Sequence, residues 1–93
     1  MTSKVSLSGY IIVADPDLDA VKEALVEHIR LTRAEDGCLS FTVTQCKDNK
    51  NRFDVAELFR TQQDFDLHQQ RVQNSAWGRV SKNVERHYKI EKL

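Results

Sequence analysis

The sequence is poor in the residues that break, bend or cross-link a chain. Its 93 residues include one proline, three glycines and two cysteines. No Pro/Gly-rich linker divides it, and a compact domain usually takes roughly 50 to 200 residues, so a single domain is predicted over residues 1–93. Because 40% of the residues are hydrophobic and glycine is scarce, the composition excludes a disordered or collagen-like chain.

The chain also lacks an excess of either charge. Lysine plus arginine and aspartate plus glutamate each total 14, which gives a net charge of zero. Without a long-range field for polyanions, neither nucleic acid nor a membrane is expected as a partner. No apolar run approaches the roughly 18 residues of a membrane span, and the first residues do not resemble a secretory signal. A cytoplasmic location is therefore expected.

The cysteines and histidines form no recognisable metal or disulfide pattern. Cys38 and Cys46 lie in one predicted extended segment, where eight residues at ~3.3 Å each would separate them by roughly 26 Å. That distance exceeds the reach of a disulfide, so free thiols are predicted. His28, His68 and His87 are scattered and do not have the spacing of zinc ligands. No metal is assigned.

Hydrophobic periodicity predicts four strands and two helices. Residues alternate between apolar and polar from Val5 to Val13, and two further alternating segments around a polar loop predict a hairpin. The predicted elements are a strand over 5–13, a helix capped by Asp15 with Pro16 at its first position and ending near Arg33, strands over 39–44 and 53–59, a helix starting at Thr61 and interrupted around 74–75, and a last strand near Tyr88 and Ile90. The order βαββαβ predicts an α+β, ferredoxin-like fold: an antiparallel sheet with both helices on one face.

Both faces of this sheet carry apolar residues. In the first strand, Tyr10 and Ile12 lie opposite Val5, Leu7 and Ile11. Helices cover only one face, and soluble monomers seldom expose a large apolar patch. A homodimer that packs the two uncovered faces together, forming a dimeric α/β barrel, is therefore predicted.

Three polar residues interrupt apolar faces and are the first candidates for a site. His68 lies on the inward stripe of the second helix, where an unpaired imidazole needs a polar partner or a cavity. Glu57 interrupts an apolar strand face, where a carboxylate needs a partner to stay ionised. His28 lies at the edge of the apolar stripe of the first helix. Each also has a structural interpretation: His68 as a core or interface histidine, and His28 as a solvated surface residue.

Glu57 could equally form a structural ion pair with Arg71 or Arg86. The aromatic residues Trp77, Phe59 and Tyr10 could wall a site for a flat ligand, because small-molecule sites are mostly apolar. Packing in the core or at an interface accounts for them as simply. Spacing alone identifies no reaction.

Three segments together resemble the antibiotic biosynthesis monooxygenase (ABM) family, which includes quinol monooxygenases and an isomerase of autoinducer breakdown. They are Glu35-Asp36-Gly37-Cys38-Leu39, the run from Arg52 to Phe59, and Phe65 followed by His68. The resemblance extends from the first strand to Tyr88 and implies a ferredoxin-like fold that is usually dimeric. Many relatives have a Pro-His pair where this chain has Val72 and Gln73, and often a tryptophan at the position of Phe59.

The resemblance implies that His68 and Glu57 are catalytic pocket residues and that no cofactor is needed. The leading hypothesis is a monooxygenase that oxidises a phenolic or quinol-like small molecule. His68 would be the base, Glu57 would orient the phenol, and the remaining candidates His28, Phe59, Trp77 and Tyr10 would bind the substrate. The alternatives are an isomerase of a small oxygenated metabolite and a ligand-binding dimer without catalysis.

Overall fold

A computed structural model describes residues 3–93 of the chain, so residues 1 and 2 of the predicted domain lie outside it. The elements are β1 Val5–Ile12, α1 Leu18–Arg33, β2 Cys38–Gln45, β3 Arg52–Phe59, α2 Gln62–Gln73, α3 Ala76–Val80 and β4 Glu85–Lys92. The four strands form one antiparallel sheet in the order β2-β3-β1-β4. The predicted α+β, ferredoxin-like arrangement is confirmed. No helix in the described range is long and apolar enough to cross a membrane.

The helix ends mostly follow the sequence signals, with one correction. Thr61 caps α2 by accepting a hydrogen bond from the backbone N–H of Asp64 at 3.1 Å, as predicted. Asp15 does not cap α1, since residues 15–17 form a 3₁₀ turn and α1 begins at Leu18. The Asp15 carboxylate instead accepts a hydrogen bond at 2.8 Å from Asn51, whose side chain also donates to the carbonyl of Val13. This contact ties the end of β1 to the β2–β3 loop.

The buried stripe of α1 differs from the predicted one. It consists of Val21, Leu25, His28 and Thr32, whereas Ile29 is only partly buried. His28 thus lies within the apolar face rather than at its edge, and the interpretation of His28 as a solvated surface residue is wrong. Spacings of three and four both fit a helix face, so the sequence did not decide between positions 28 and 29.

Two apolar clusters lie between the helices and the sheet. One groups Ile11, Val13, Val21, Leu25, Phe53, Trp77 and Val84, and the other groups Val5, Leu7, Val55, Phe59 and Phe65. The cavity described below has walls from both clusters. Strand β4 is exposed along its length. The covered part of the sheet is therefore centred on β1 and β3, which carry the floor of the site.

Candidate active site

A cavity of about 200 Å³ lies between the sheet and the helices. Its floor includes Leu7, Glu57 and Tyr88, and its roof includes His28, His68 and Trp77. The two histidines and the glutamate are nearly inaccessible to solvent, with exposures of 5% for His28, 2% for His68 and 9% for Glu57. Mostly apolar walls with a few convergent polar groups are typical of small-molecule sites.

His68 is held by a carboxylate from the turn after α1. Its Nδ1 lies 2.7 Å from Oε1 of Glu35. Because an ionised carboxylate only accepts hydrogen bonds, Nδ1 carries the proton and Nε2 carries the lone pair. Nε2 lies on the side of Glu57, 3.8 Å from its Oε1, which is longer than a hydrogen bond. The pair therefore forms no direct hydrogen bond in this arrangement.

Glu35 is itself fixed by a second contact. Its other oxygen accepts a hydrogen bond from Nε of Arg71 at 3.0 Å, and Nη2 of Arg71 donates to Oγ1 of Thr32, also at 3.0 Å. These contacts connect α1, the following turn and α2. The imidazole of His68 therefore has a defined orientation, as a general base requires.

Gly37 explains why this turn can come so close to α2. A Cβ atom at Gly37 would lie 2.2 Å from Cγ of Asp64, a distance that no side chain tolerates. Asp64 is in the first turn of α2 and His68 follows one turn later. The absence of a side chain at position 37 thus allows Glu35 to reach His68.

Burial changes the protonation of the cavity residues. Burial, with a smaller contribution from the Glu35 carboxylate, raises the pKa of Glu57 to about 7. Burial lowers the pKa of His68, although the hydrogen bond to Glu35 opposes that shift. Burial also lowers the pKa of His28 to about 3. At neutral pH the site therefore holds two neutral imidazoles and a carboxyl group that is readily protonated.

Four of the six predicted site residues line this cavity, namely His68, Glu57, His28 and Trp77. Phe59 is fully buried behind His68, with its ring centroid 4.8 Å from the imidazole. Tyr10 lies on the opposite face of the sheet, stacked on His87 at 4.6 Å, with the Arg52 guanidinium 3.9 Å from its ring centre. The structure does not bring Tyr10 to the cavity.

The ion pair considered for Glu57 is absent among residues 3–93. Arg71 binds Glu35, and Arg86 donates to the carbonyl and hydroxyl oxygens of Ser81. Oε1 of Glu57 is buried and has no hydrogen-bond partner within that part of the chain. Glu57 is therefore available to a ligand, and the structural ion-pair interpretation is wrong.

Sequence reasoning missed Glu35, Arg71 as its partner, and Tyr88. Glu35 belongs to the Glu35-Asp36-Gly37 segment that carries the family resemblance, but the sequence analysis assigns it no role in the site. Tyr88 comes from the exposed strand β4, which pairs with β1 at Gly9 and so reaches the rim of the cavity. The available signal for Glu35 was a carboxylate two residues before a glycine in that segment.

Neither cysteine lines this cavity. Cys38 and Cys46 are free thiols, as predicted. Within the described chain, no group of three or more His, Cys, Asp or Glu side chains is arranged to hold a metal ion.

Several solved structures share this fold. A conserved Bacteroides thetaiotaomicron protein of unknown function, described as a possible oxidoreductase, aligns with a TM-score of 0.80 and 14% identity over 100% of both chains. A Nitrosomonas europaea protein, provisionally named an antibiotic biosynthesis monooxygenase, has a TM-score of 0.77 and 22% identity over 97% of this chain and 95% of its own. A Mycobacterium tuberculosis protein has a TM-score of 0.68 and 24% identity over 98% of this chain and 93% of its own.

No protein of curated function matches this sequence significantly. The family described as "Antibiotic biosynthesis monooxygenase" matches residues 5–79, which include every predicted site residue and most of the chain. The sequence resemblance to that family is thereby confirmed. The chain belongs to the antibiotic biosynthesis monooxygenase family.

Proposed function

We propose that the protein is a cofactor-independent monooxygenase that oxidises a phenolic or quinol-like small molecule with molecular oxygen. The observation that carries this proposal is the hydrogen bond between Glu35 and the buried His68, whose Nε2 is 3.8 Å from Glu57 in a mostly apolar cavity. Membership of the family supports the reaction type. The first chemical requirement is a base in a mostly apolar cavity, and His68 is the candidate for that role.

In the first step Nε2 of His68 takes the proton of the phenol hydroxyl. The resulting imidazolium is stabilised by the Glu35 carboxylate at 2.7 Å. Glu57 orients the same oxygen, and in its protonated form it donates a hydrogen bond to the phenolate. An ionised Glu57 would repel that phenolate, so the protonated form is the productive one.

In the second step the phenolate passes one electron to oxygen, and the aryloxyl radical and superoxide combine to form a carbon–oxygen bond. Cleavage of the O–O bond releases water, with protons returned through His68 and Glu57. A phenol plus O₂ thus gives a quinone plus H₂O, and atoms and electrons balance without another reductant. Trp77 and the apolar walls hold the ring and exclude bulk water.

Oxygen consumption by chelator-treated protein with hydroquinones tests this proposal. His68→Ala is expected to lower turnover by roughly 100-fold or more, the usual contribution of a general base. His87→Ala is the matched control, since His87 lies on the far side of the sheet, stacked on Tyr10. No turnover with any hydroquinone, or equal turnover in His68→Ala, would contradict the proposal.

The second candidate is an isomerase that moves a proton between two positions of a small oxygenated metabolite. The 3.8 Å separation of His68 and Glu57 favours it, because two proton carriers would then face the same part of one bound substrate. Such activity persists under strictly anaerobic conditions, whereas the monooxygenase stops. A non-catalytic ligand-binding dimer is the third alternative, and it would show no change in any assay for His68→Ala.

The homodimer and the cytoplasmic location belong to the same proposal. On the outer face of the sheet, Ile12 and Leu58 are partly exposed and Ala56 is exposed, surrounded by short polar side chains. A second copy would bury these residues. Sedimentation is expected to show a dimer at micromolar concentration, and a monomer would contradict the proposal. Cell fractionation tests the location.

A further inference from the structure

Arg86 is a cation of the main cavity that the proposed mechanism does not use. In the described part of the chain it is the only lysine or arginine that lines this cavity. Its neighbours in β4, Glu85 and His87, contact each other at 3.1 Å, and the His87 ring stacks on Tyr10 at the opposite face of the sheet. The guanidinium therefore faces the cavity without an acidic neighbour from its own strand.

Contacts with the buried Ser81 fix the position of the guanidinium. Nη2 of Arg86 donates to the carbonyl oxygen of Ser81 at 2.9 Å and to its Oγ at 3.0 Å. Ser81 is fully buried, and its hydroxyl donates to the carbonyl oxygen of Trp77 at 2.6 Å. Nη1 of Arg86 lies 3.4 Å from the carbonyl oxygen of Val84, which is longer than a usual N–H···O bond. Nη1 and Nε therefore retain N–H donors for a ligand.

An anion is the ligand group that complements this arrangement. The partners of the Arg86 guanidinium in the described chain are neutral oxygen atoms, so they leave its positive charge uncompensated. A clamp on the turn before β4 would explain the contacts with Ser81, but it would not require the guanidinium to line a cavity. Hydrogen bonds from a guanidinium to a carboxylate are about twice as strong as those between neutral groups. The mostly apolar walls strengthen such an attraction further.

The register of the sheet separates Arg86 from the proposed base. Glu57 pairs with Leu7 of β1, whereas Arg86 pairs with Ile11, four residues further along the same strand. At ~3.3 Å per residue, these two rows are roughly 13 Å apart along β1. Nε2 of His68 lies near the Glu57 row, 3.8 Å from the carboxyl group. A ligand that contacts both rows therefore carries its hydroxyl and its anionic group at opposite ends of an extended ring system.

We propose that Arg86 binds a carboxylate of the substrate, so that the cavity takes hydroxyaryl carboxylates in preference to the corresponding neutral compounds. The hydroxyl end, at His68 and Glu57, rests on the proposed function, whereas the carboxylate end does not depend on oxygen chemistry. Arg86 is thus a specificity residue for the charge of the substrate. Its hydrogen bonds to Ser81 hold the guanidinium in place before the ligand arrives, which lowers the entropic cost of binding.

Binding in the absence of oxygen tests this inference separately from turnover. Titration calorimetry compares 6-hydroxy-2-naphthoate with 6-hydroxy-2-naphthamide, which have nearly the same shape and differ in charge. The wild-type protein is expected to bind the carboxylate at least about tenfold more tightly, the lower end of the value of a hydrogen bond to a charged group. Trp77 is the only tryptophan in the chain and lines the cavity, so its indole N–H resonance reports whether each compound enters.

Substitutions of Arg86 assign the preference to its charge. Arg86→Gln is expected to bind both compounds equally, through about tenfold weaker binding of the carboxylate and unchanged binding of the carboxamide. Arg86→Lys keeps the positive charge and should retain most of the preference. Arg79→Gln is the matched control, since Arg79 is an exposed arginine of α3 that does not line the cavity. A purely structural role of Arg86 would weaken the binding of both compounds alike.

A measurement on the wild-type protein needs no variant. The Nε–H resonance of Arg86 should shift when the carboxylate is added and stay in place with the carboxamide. Equal affinities in the wild type, absence of binding, an unchanged Arg86 resonance, or a preference that survives in Arg86→Gln would overturn the inference. If the preference depends on Arg86 but the wild type consumes no oxygen with any hydroquinone, the specificity assignment stands and the monooxygenase proposal fails.

Discussion

His68 and His28 are two buried histidines over one cavity, and they differ in their partners. His68 is hydrogen-bonded to Glu35 at 2.7 Å, whereas His28 is packed between Trp77 and Phe41 and its Nδ1 has no partner among residues 3–93. Burial lowers the pKa of both rings, but the Glu35 carboxylate opposes that shift only at His68. The partner therefore decides which of two equally buried imidazoles can take a proton.

The difference has its origin in local sequence. His68 lies beside a turn in which Gly37 allows close approach and Glu35 supplies a carboxylate. His28 lies within the apolar stripe of α1, between Leu25 and Thr32, where its ring has aromatic neighbours. One residue type thus gives an imidazole hydrogen-bonded to a carboxylate in one place and an imidazole packed between aromatic rings in the other.

The largest effect is expected when the hydrogen-bond partner of His68 is removed. In Glu35→Gln the imidazolium loses its counter-charge, and turnover is expected to fall roughly 100-fold. The residual activity of the variant should also depend differently on pH. Because Glu35 raises the pKa of His68, the variant should lose activity only at lower pH than the wild type does. Steady-state rates across pH measure both effects.

Glu27→Gln is the matched control for this change. Glu27 lies on the exposed side of α1 and pairs with Arg30 instead of a cavity residue. Its pH profile should equal that of the wild type. An unchanged acidic limb in Glu35→Gln would mean that Glu35 only stabilises the fold, and the comparison between the two histidines would lose its basis.

The second test concerns Glu57, whose carboxyl group lies opposite His68. Burial raises its pKa to about 7, so the productive protonated form is lost as the pH rises through that value. The wild-type rate is therefore expected to fall about tenfold per pH unit on the alkaline side. Glu57→Gln stays neutral, so its rate should remain level there. An alkaline limb that persists in Glu57→Gln would contradict this role.

The raised pKa of Glu57 also makes the free energy of unfolding depend on pH. The folded protein binds the Glu57 proton more tightly than the unfolded chain does, so the free energy of unfolding falls as the pH rises from about 4.5 to about 7. The shift corresponds to a loss of up to roughly 3 kcal/mol above that range. Glu57→Gln should therefore raise the melting temperature at about pH 8 and change it little at about pH 4.5. An equal effect at both values would argue against a raised pKa.

The fold was predictable from the sequence because its signals are local. Alternation in β1 and β3, the cap at Thr61 and the pause at residues 74–75 each act within a few residues. The prediction failed where a residue distant in the sequence competed with a local contact. The carboxylate of Asp15 is engaged by Asn51, 36 positions later, and a rule based on neighbouring residues does not contain that partner.

The candidate site was predictable only in part for the same reason. His68 and Glu57 stood out because they interrupt apolar faces. Glu35 did not, since it lies in a polar turn 33 positions before His68 and gains its importance from a contact in three dimensions. The sequence indicated that His68 and Glu57 are buried, but it did not indicate which of them has a hydrogen-bond partner.

The smallest effect is expected for a substitution of Phe59, which lies behind His68 and does not line the cavity. Phe59 packs against His68 and Phe65, with centroids 4.8 and 5.6 Å away, but does not line the cavity. Phe59→Leu should lower the free energy of unfolding by about 1 to 2 kcal/mol and kcat by a few-fold, because His68 loses packing. KM should stay within twofold, since no contact with the substrate is removed. Tyr10→Phe, on the opposite face, should change neither constant. If KM rises several-fold in Phe59→Leu, the ring contacts the substrate, and the fixed position of His68 then depends on Glu35 alone.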